Sequence, residues 1–370
     1  MKPIRTKALV IGGGPSGSTA ARHLAGSGID TILIEKNPSF VKPCGGVMPS
    51  SAFNELDLPR HLIKREVRKI RVVSPKGKEA ELELEGGFMA MVERGGFDSC
   101  LREEAKKAGA EVIEAEFKGF AETGDEVVSE VVINGFLRTI TSDYVIAADG
   151  AGSKSLASLG LKPPASIFTL SKILPGEQDA CEFWFGQSHA PKFYSWVFPA
   201  AGGISIGTGS VRPENLRGLL ENFLSRRGYE PGHQGSVAAP LRGWRMPLWG
   251  GGLFNRGRIL FAGDAAGQVM PFTFEGIYYA MKAGSFAAEA VASGRPDAYK
   301  KFWRKRFYAR FLFMKKLWSL FGNSEGLIEK FISMHRNPSV KEASMRLWLN
   351  KEMDGKALLS YMNIFREFLS

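Results

Sequence analysis

Hydrophobic positions along this chain follow two periods, and the places where one gives way to the other divide it into parts. Ala8 to Ile11 is a short continuous apolar run stopped by Gly12, the pattern of a strand buried on both faces. A helical pattern follows through about Ala25 and closes on Gly26-Ser27-Gly28, a C-cap signal. A second apolar run, Ile32 to Ile34, ends at Glu35, so the first stretch reads as a β-α-β unit. Buried-strand signatures recur three times. FMAMVER delivers Arg94 ahead of a helix whose Phe97, Leu101 and Ala105 share a face. DYVIAADG ends in Asp149-Gly150. Ile259 to Ala262 runs into Gly263-Asp264, then a loop, then a long helix entered near Glu275-Gly276.

Between these pieces, 66–94 and 165–211 alternate instead. KIRVVSP, EAELELE, FMAMVER, ACEFWFG, KFYSWVFP and GISIGTGSV predict an antiparallel sheet inserted between parts of the first domain. The period of two puts Tyr194, Trp196 and Phe198 on one face; Phe183 and Phe185 likewise share a face, and Trp184 takes the other. An aromatic sheet face is either core or the apolar wall of a ligand cavity. The C-terminal part reads as helices with breaks near Gly322-Asn323, Asn337-Pro338 and Asp354-Gly355.

Charge changes the picture in one place. The net charge is +11, and residues 301–321 carry seven Lys or Arg and no acid, interleaved with aromatics. A nucleic acid, an anionic membrane surface or an acidic protein would each suit such a stretch, as would a helix that packs its aromatics inward and solvates its charges. Cys44, Cys100 and Cys181 are too few and too scattered for a disulfide framework or a zinc site, which points to a reducing compartment. The histidines at 23, 61, 189, 233 and 335 show no metal-ligand spacing, and no metal is expected. The first apolar run is a strand rather than a signal peptide, and no apolar run is long enough to span a bilayer. A cytoplasmic protein follows, free or on the cytoplasmic face of a membrane.

The candidate chemistry begins at Gly12-x-Gly14-x-x-Gly17. Gly12 makes the tight turn, Gly14 leaves room for a pyrophosphate and Gly17 lets the helix pack on the strand. The helix N-terminus then offers free N–H groups to the phosphates. Glu35 stands at the spacing of the acid that accepts the ribose hydroxyls, and it disfavours a 2′-phosphate, which leaves FAD or NAD. The later pieces select FAD. Arg94 beside a pyrophosphate supplies charge-assisted hydrogen bonds. An acid at the end of the 259–262 strand suits ribityl hydroxyls, and a second helix N-terminus suits the electron-rich end of a flavin.

Taken together, Gly12-x-Gly14-x-x-Gly17 with its distal acid, Arg94 in VERGGFDSCL, Asp149-Gly150, and FAGDAAG followed by P-x-x-x-x-G resemble the FAD-dependent superfamily that includes p-hydroxybenzoate hydroxylase. The resemblance runs from residue 7 to about 290. It implies an α/β fold: a Rossmann-like FAD-binding domain with an interleaved antiparallel-sheet substrate domain and a helical C-terminal region. The expected divisions are 1–65, 95–164 and 242–295; then 66–94 and 165–241; then 296–370. By the same resemblance the FAD contacts include Pro15, Ser16, Lys36, Ala265, Gly267, Pro271, Gly276 and Ile277, beside Gly12, Gly14, Gly17, Glu35, Arg94, Asp149, Gly150, Gly263 and Asp264.

Cys44, between Pro43 and the Gly45-Gly46 pair, narrows the family. A stiff loop with few side chains presents one polarisable sulfur, as if to a planar partner. KPCGGVMPSS followed by AFNELDLP, and the later FYSWVFP, resemble the geranylgeranyl reductase family. In that family a Cys-Gly-Gly loop lies beside the flavin and a Tyr-x-Trp-x-Phe-Pro segment lines the prenyl pocket. Cys44, Gly45, Gly46 and Val47 are thereby expected at the flavin, with Val47 where the family's loop often carries a third glycine. Trp184, Tyr194, Trp196, Phe198 and Pro199 are expected at the substrate.

The resemblance implies saturation of isolated C=C bonds in a geranylgeranyl chain carried on a lipid or a diphosphate. Hydride comes from reduced FAD, and Cys44, Tyr194 or an ordered water is the candidate proton source. NADPH or an acidic ferredoxin is the expected electron donor, and contact with an anionic membrane is expected rather than with nucleic acid. The rival readings are an FAD-dependent aromatic hydroxylase or halogenase using NADPH and O₂, and a non-catalytic prenyl carrier.

Overall fold

The computed structural model describes residues 4–229, 240–322, 324–349 and 363. The expected break at Asp354-Gly355, with Asn323 and His233, lies outside the described residues. The chain separates into two compact units. One comprises Met1–Lys42, Gly95–Ser166 and Met246–Phe311; the other comprises Pro43–Arg94, Ile167–Arg245 and Leu312–Ser370.

The first unit is built on a sheet whose strands run in the order Asn255–Arg256, Ile259–Phe261, Phe136–Ala147, Ile4–Ile11, Thr31–Glu35 and Glu111–Glu114. From Ile259–Phe261 to Glu111–Glu114 these strands are parallel. Ile4–Ile11 lies in the middle, which explains its unbroken apolar run: Ala8, Leu9, Val10 and Ile11 are all buried because both faces are covered. The helix Pro15–Gly26 packs against the helix Ile277–Ala292. Their approach is close enough that a Cβ on Gly284 would collide with the Ser16 carbonyl.

One feature was not expected. Phe136–Ala147 is long enough to serve two partners, and its outer half pairs antiparallel with Val127–Ile133, which pairs in turn with Glu116–Thr123. Asn134 and Gly135 make the hairpin at φ 51° and 80°, the left-handed pair that an Asn-Gly turn supplies.

The second unit holds a seven-stranded sheet in the order Arg242–Pro247, Ser166–Leu174, Gly203–Ser210, Ser195–Ala200, Ala180–Trp184, Lys69–Val73 and Glu79–Glu83. From Ser166–Leu174 onward the neighbours are antiparallel with one exception: Lys69–Val73 lies parallel to Ala180–Trp184. The chain leaves this sheet after Glu79–Glu83 and returns only at 166, so no hairpin joins that pair. Met89–Val92, expected in the same sheet, instead forms a three-stranded sheet with Val47–Pro49 and Ile63–Val67. It is laid against the larger sheet where Cys181 Sγ meets Met91 Sδ at 3.9 Å.

The opposite face of the large sheet is covered by the helix Leu216–Arg226, whose Phe223 packs with Leu174, Val197, Ile204 and Ile206. On that face a buried histidine is held by its neighbours. His189 Nδ1 lies 2.8 Å from Ser195 Oγ, and Thr208 Oγ1 donates to the His189 carbonyl. Burial, with the Arg226 charge, lowers the His189 pKa to about 4. The unfolded chain therefore binds a proton near pH 6.5 that the folded chain refuses until about pH 4. Stability is expected to fall through that window, by about 2 kcal/mol between pH 7 and 4.5. Urea unfolding followed by tryptophan fluorescence measures it, and an unchanged slope in His189→Gln would assign the loss elsewhere.

The basic stretch forms the helix Ala298–Phe321. Tyr299, Trp303, Phe307, Phe311, Met314, Leu317 and Phe321 recur at three- and four-residue steps and are buried, while Lys301, Arg304, Lys305, Arg306, Lys315 and Lys316 are exposed. Its aromatics are core. Helices Glu325–Met334 and Pro338–Trp348 follow, capped by the side chains of Ser324 and Asn337, so breaks fall near 322 and 337 as the sequence predicts.

Candidate active site

In the first unit the glycine loop is shaped by contact and by space. Gly12 sits at φ +100°, where a Cβ would lie 2.5 Å from the Ala148 carbonyl. A Cβ on Gly17 would strike the Gly12 carbonyl, so this glycine lets strand and helix close up. Gly14 differs from both: its φ is −78°, and a Cβ there would meet nothing within 4 Å. Pro15 opens the helix. Ser16 behind it is buried, and its hydroxyl has no hydrogen-bond partner among the described residues. A buried hydroxyl without a partner at a helix N-terminus, next to a Gly14 position that is open to space, fits a phosphate group. The donor set therefore fits a dinucleotide.

Glu35 stands at the loop as expected. Its carboxylate accepts the Gly13 N–H at 2.7 Å and the Asn37 N–H at 2.9 Å, which fixes the acid while further lone pairs remain for ribose hydroxyls. Lys36 is exposed. Sequence reasoning missed Arg102, which is buried and donates to the carbonyls of Gly13 (3.2 Å) and Pro38 (2.8 Å), clamping the loop from below. The available signal was the buried polar pair Asp98 and Arg102, one turn apart beside the apolar stripe of Phe97, Leu101 and Ala105.

The 259–277 segment meets the glycine loop directly. A Cβ on Gly263, at φ +67°, would lie 2.9 Å from Ser16 Cβ. Asp264 forms an ion pair with Lys42, a second residue that sequence reasoning missed. Its other oxygen lies 3.9 Å from where a Gly276 Cβ would be, close to the N-terminus of Ile277–Ala292. Ala265 is buried, and Gly267 turns the chain at φ +65°. Gly263 N–H donates to Gln268 Oε1 at 2.8 Å, and Gln268 Nε2 to the Tyr299 hydroxyl at 2.8 Å, which ties the segment to the basic helix. After Pro271, Phe272 and Phe274 hold φ at +72° and +55°, a left-handed conformation that costs a bulky residue on the order of 1–3 kcal/mol.

Asp149 accepts from Ser153 Oγ at 2.7 Å and from Ser155 N–H at 2.9 Å, so its carboxylate caps its own turn; Gly150, at φ +79°, faces open space. Arg94 is buried and opens the helix Arg94–Lys107 just after the strand Met89–Val92.

In the second unit Cys44 is exposed, and its sulfur accepts the Gly46 N–H at 3.3 Å. Gly46 at φ +67° abuts the Val92 carbonyl, and its own carbonyl accepts the Val92 N–H at 2.7 Å. Val47 starts the strand Val47–Pro49 opposite Met91, which needs no third glycine. A Cβ on Gly45 would lie 2.9 Å from the Phe198 ring, and from Phe198 an aromatic series runs along the sheet. Phe198 to Phe183 is 5.0 Å between centroids, Phe183 to Tyr194 is 5.1 Å, and Tyr194 stacks on Phe193 at 4.6 Å. Trp196 donates to Ser205 Oγ at 3.1 Å, and its ring lies where a Gly207 Cβ would be. Pro199 is buried in the same strand. Trp184 is not part of this wall. It lies on the other face, 5.8 Å from Phe223, with Nε1 donating to Glu182 at 2.8 Å.

The FAD binding domain family matches residues 5–209. Geranylgeranyl diphosphate reductase of Rhodobacter capsulatus is 30% identical over 94% of this chain and 92% of its own length. The chain belongs to the geranylgeranyl reductase family. A second member, digeranylgeranylglycerophospholipid reductase 2 of Methanothermobacter thermautotrophicus, is 33% identical over 80% of this chain and 83% of its own. The geranylgeranyl bacteriochlorophyll reductase-like protein of Thermoplasma acidophilum superposes with a TM-score of 0.84 at 25% identity, covering 99% of both chains. Family membership agrees with a glycine-loop cradle in the first unit that fits FAD.

Proposed function

We propose that the protein is an FAD-dependent reductase that saturates isolated C=C bonds of a geranylgeranyl chain borne on a lipid or a diphosphate. The observation that carries this reading is the likeness to geranylgeranyl reductases along nearly the whole chain. Reduced FAD, when bound, supplies the hydride. Gly12, Gly14, Ser16, Gly17, Glu35 and Asp264 hold the cofactor, with Lys42 and Arg102 fixing the last two loops. The series Phe198, Phe183, Tyr194 and Phe193 excludes water and lines up an alkyl chain that offers no polar handle. Two side chains here carry a transferable proton. The Cys44 thiol adjoins Gly45 and hence Phe198, whereas Phe183 separates Phe198 from Tyr194, so the two stand at different depths along one wall.

The exposed cations of the basic helix favour an acidic ferredoxin as electron donor, which a steep fall of reduction rate with salt supports; NADPH consumption by the protein alone assigns that role to the nicotinamide instead. No helix among the described residues is long and apolar enough to cross a membrane. We assign the protein to the cytoplasmic face of an anionic membrane, held peripherally by the same cations.

The deciding experiment reduces the purified protein under anoxia with a chemical reductant in the presence of a geranylgeranyl lipid. The expected result is product heavier by two hydrogens per double bond. A yellow protein without mass gain, reoxidised rapidly by O₂ with NADPH turnover, replaces this reading with a monooxygenase. A colourless protein that retains the lipid replaces it with a carrier.

A further inference from the structure

Gly263 is the tightest point of the cofactor cradle. It stands at φ +67°, and a Cβ there would lie 2.9 Å from Ser16 Cβ and 3.3 Å from Ala280 Cβ, so the position takes glycine. Glycine meets the demand for space and brings the widest backbone freedom of any residue. That freedom falls where it does most harm. Against Gly263 packs Ser16, whose buried hydroxyl has no hydrogen-bond partner among the described residues, and next in the chain is Asp264. A cradle that keeps both in place needs this glycine held by something else.

One residue grips both of its backbone groups. The Gln268 N–H donates to the Gly263 carbonyl at 3.0 Å, and Gln268 Oε1 accepts the Gly263 N–H at 2.8 Å. The two bonds stand on either side of the glycine's φ and ψ and fix both. Gln268 is 1% exposed, so water does not compete for them. Its amide has one orientation that suits its neighbours. A backbone N–H can only donate, so Oε1 faces Gly263, and Nε2 is left to donate to the Tyr299 hydroxyl at 2.8 Å. Tyr299 is fully buried, with its ring 5.5 Å from that of Phe254. Burial raises its pKa, so the hydroxyl keeps its proton and stays a neutral partner. Tyr299 thereby selects one of the two ways the amide could turn.

We propose that Gln268, oriented by Tyr299, is the positioning residue that sets Gly263 and Asp264 for the flavin cofactor. Both residues act through the 263–264 turn and neither is one of the cofactor's own contacts. The proposal rests on FAD as the occupant of the cradle and adds to it the pair that holds the cradle in shape.

The test refills deflavinated protein with FAD and compares wild type, Tyr299→Phe and Ile140→Val. Tyr299→Phe removes one hydroxyl and keeps the ring. Ile140→Val trims the buried core of the same unit and serves as the control for a plain loss of stability. Without flavin, both variants are expected to melt below wild type. The dissociation constant for FAD is expected to rise about fivefold to thirtyfold in Tyr299→Phe and to stay within about twofold of wild type in Ile140→Val. The visible circular dichroism of the bound flavin, which reports how its ring is held, should change in Tyr299→Phe alone. Hydrogen exchange makes the same comparison without cofactor: the Gly263 amide should exchange faster in Tyr299→Phe, while the strand Ile4–Ile11 exchanges as in wild type. If Tyr299→Phe does not fold, Gln268→Met takes its place, with the same side-chain length and neither polar end. An FAD affinity that falls in step with melting temperature in both variants overturns the proposal, as does unchanged affinity and dichroism in Tyr299→Phe. A wild-type protein that takes up no FAD overturns the cofactor reading itself, and this proposal with it.

Discussion

Gly14→Val is expected to give a folded, colourless, inactive protein. The position has ordinary backbone angles, φ −78° and ψ −175°, and no atom of the chain lies within 4 Å of a Cβ placed there. Valine therefore fits the fold, at a cost within about 0.5 kcal/mol. What it occupies is the open space before the N-terminus of Pro15–Gly26, where the phosphates of a dinucleotide would lie. Loss of the flavin absorption band and of more than about 10²-fold in reductase activity should accompany a melting temperature equal to that of deflavinated wild type. The comparison must be with the deflavinated protein, since bound cofactor itself stabilises the native state. Gly17→Val should behave otherwise, failing to fold, because its side chain meets the Gly12 carbonyl. A yellow Gly14→Val protein with full absorbance would put the cofactor elsewhere.

The second large effect concerns stability. Glu182 is 1% exposed and accepts from Arg71 at 2.7 Å, from Arg227 at 3.1 and 3.3 Å, and from Trp184 at 2.8 Å. Burial alone raises its pKa, but the Trp184 hydrogen bond and the Arg227 charge outweigh that and hold it below the usual carboxylate range. Glu182→Ala takes the shared acceptor from two partly exposed guanidinium groups and an indole N–H, which costs about 2–4 kcal/mol. Arg71 retains Glu81 at 2.9 Å, so the lower end of that range is expected. Glu182→Gln keeps an acceptor for Trp184 and should lose less. The advantage of wild type over Glu182→Gln is present above the unfolded pKa near 4.3 and disappears as pH falls through the lower native value. Denaturant titrations of the three proteins at pH 7 and pH 3.5 decide it; a Glu182→Ala protein as stable as wild type would remove the ion cluster from the account.

Much of this was legible in the sequence because it is written locally. The glycine loop, its helix and the distal acid follow one another within thirty residues, and the period of two sorted Phe183 and Phe185 from Trp184 without any knowledge of neighbours. The structure puts Trp184 on the face opposite to Phe183, towards Phe223, as the period predicts. The basic helix shows the same: its aromatics recur at helical steps and are buried, so the amphipathic pattern outweighed composition. What escaped reading joins distant positions. Lys42 meets Asp264, Arg102 meets Gly13, and Glu182 gathers Arg71 and Arg227; no periodicity links such pairs, because tertiary packing alone brings them together. The left-handed Phe272 and Phe274 escaped for another reason: local preference argues against them, and only the surrounding fold holds them there.

Trp196 and Gly207 carry a consequence for anyone who wishes to redirect this protein. The indole occupies the volume that a side chain on the neighbouring strand would need, so the two positions are plug and socket. Shrinking Trp196 alone leaves a hole, and enlarging Gly207 alone forces the indole out; each single step goes downhill in fitness before the pair recovers. A library that varies one codon at a time would therefore report the wall as immutable. Randomising codons 196 and 207 together is the route to a wall of different contour.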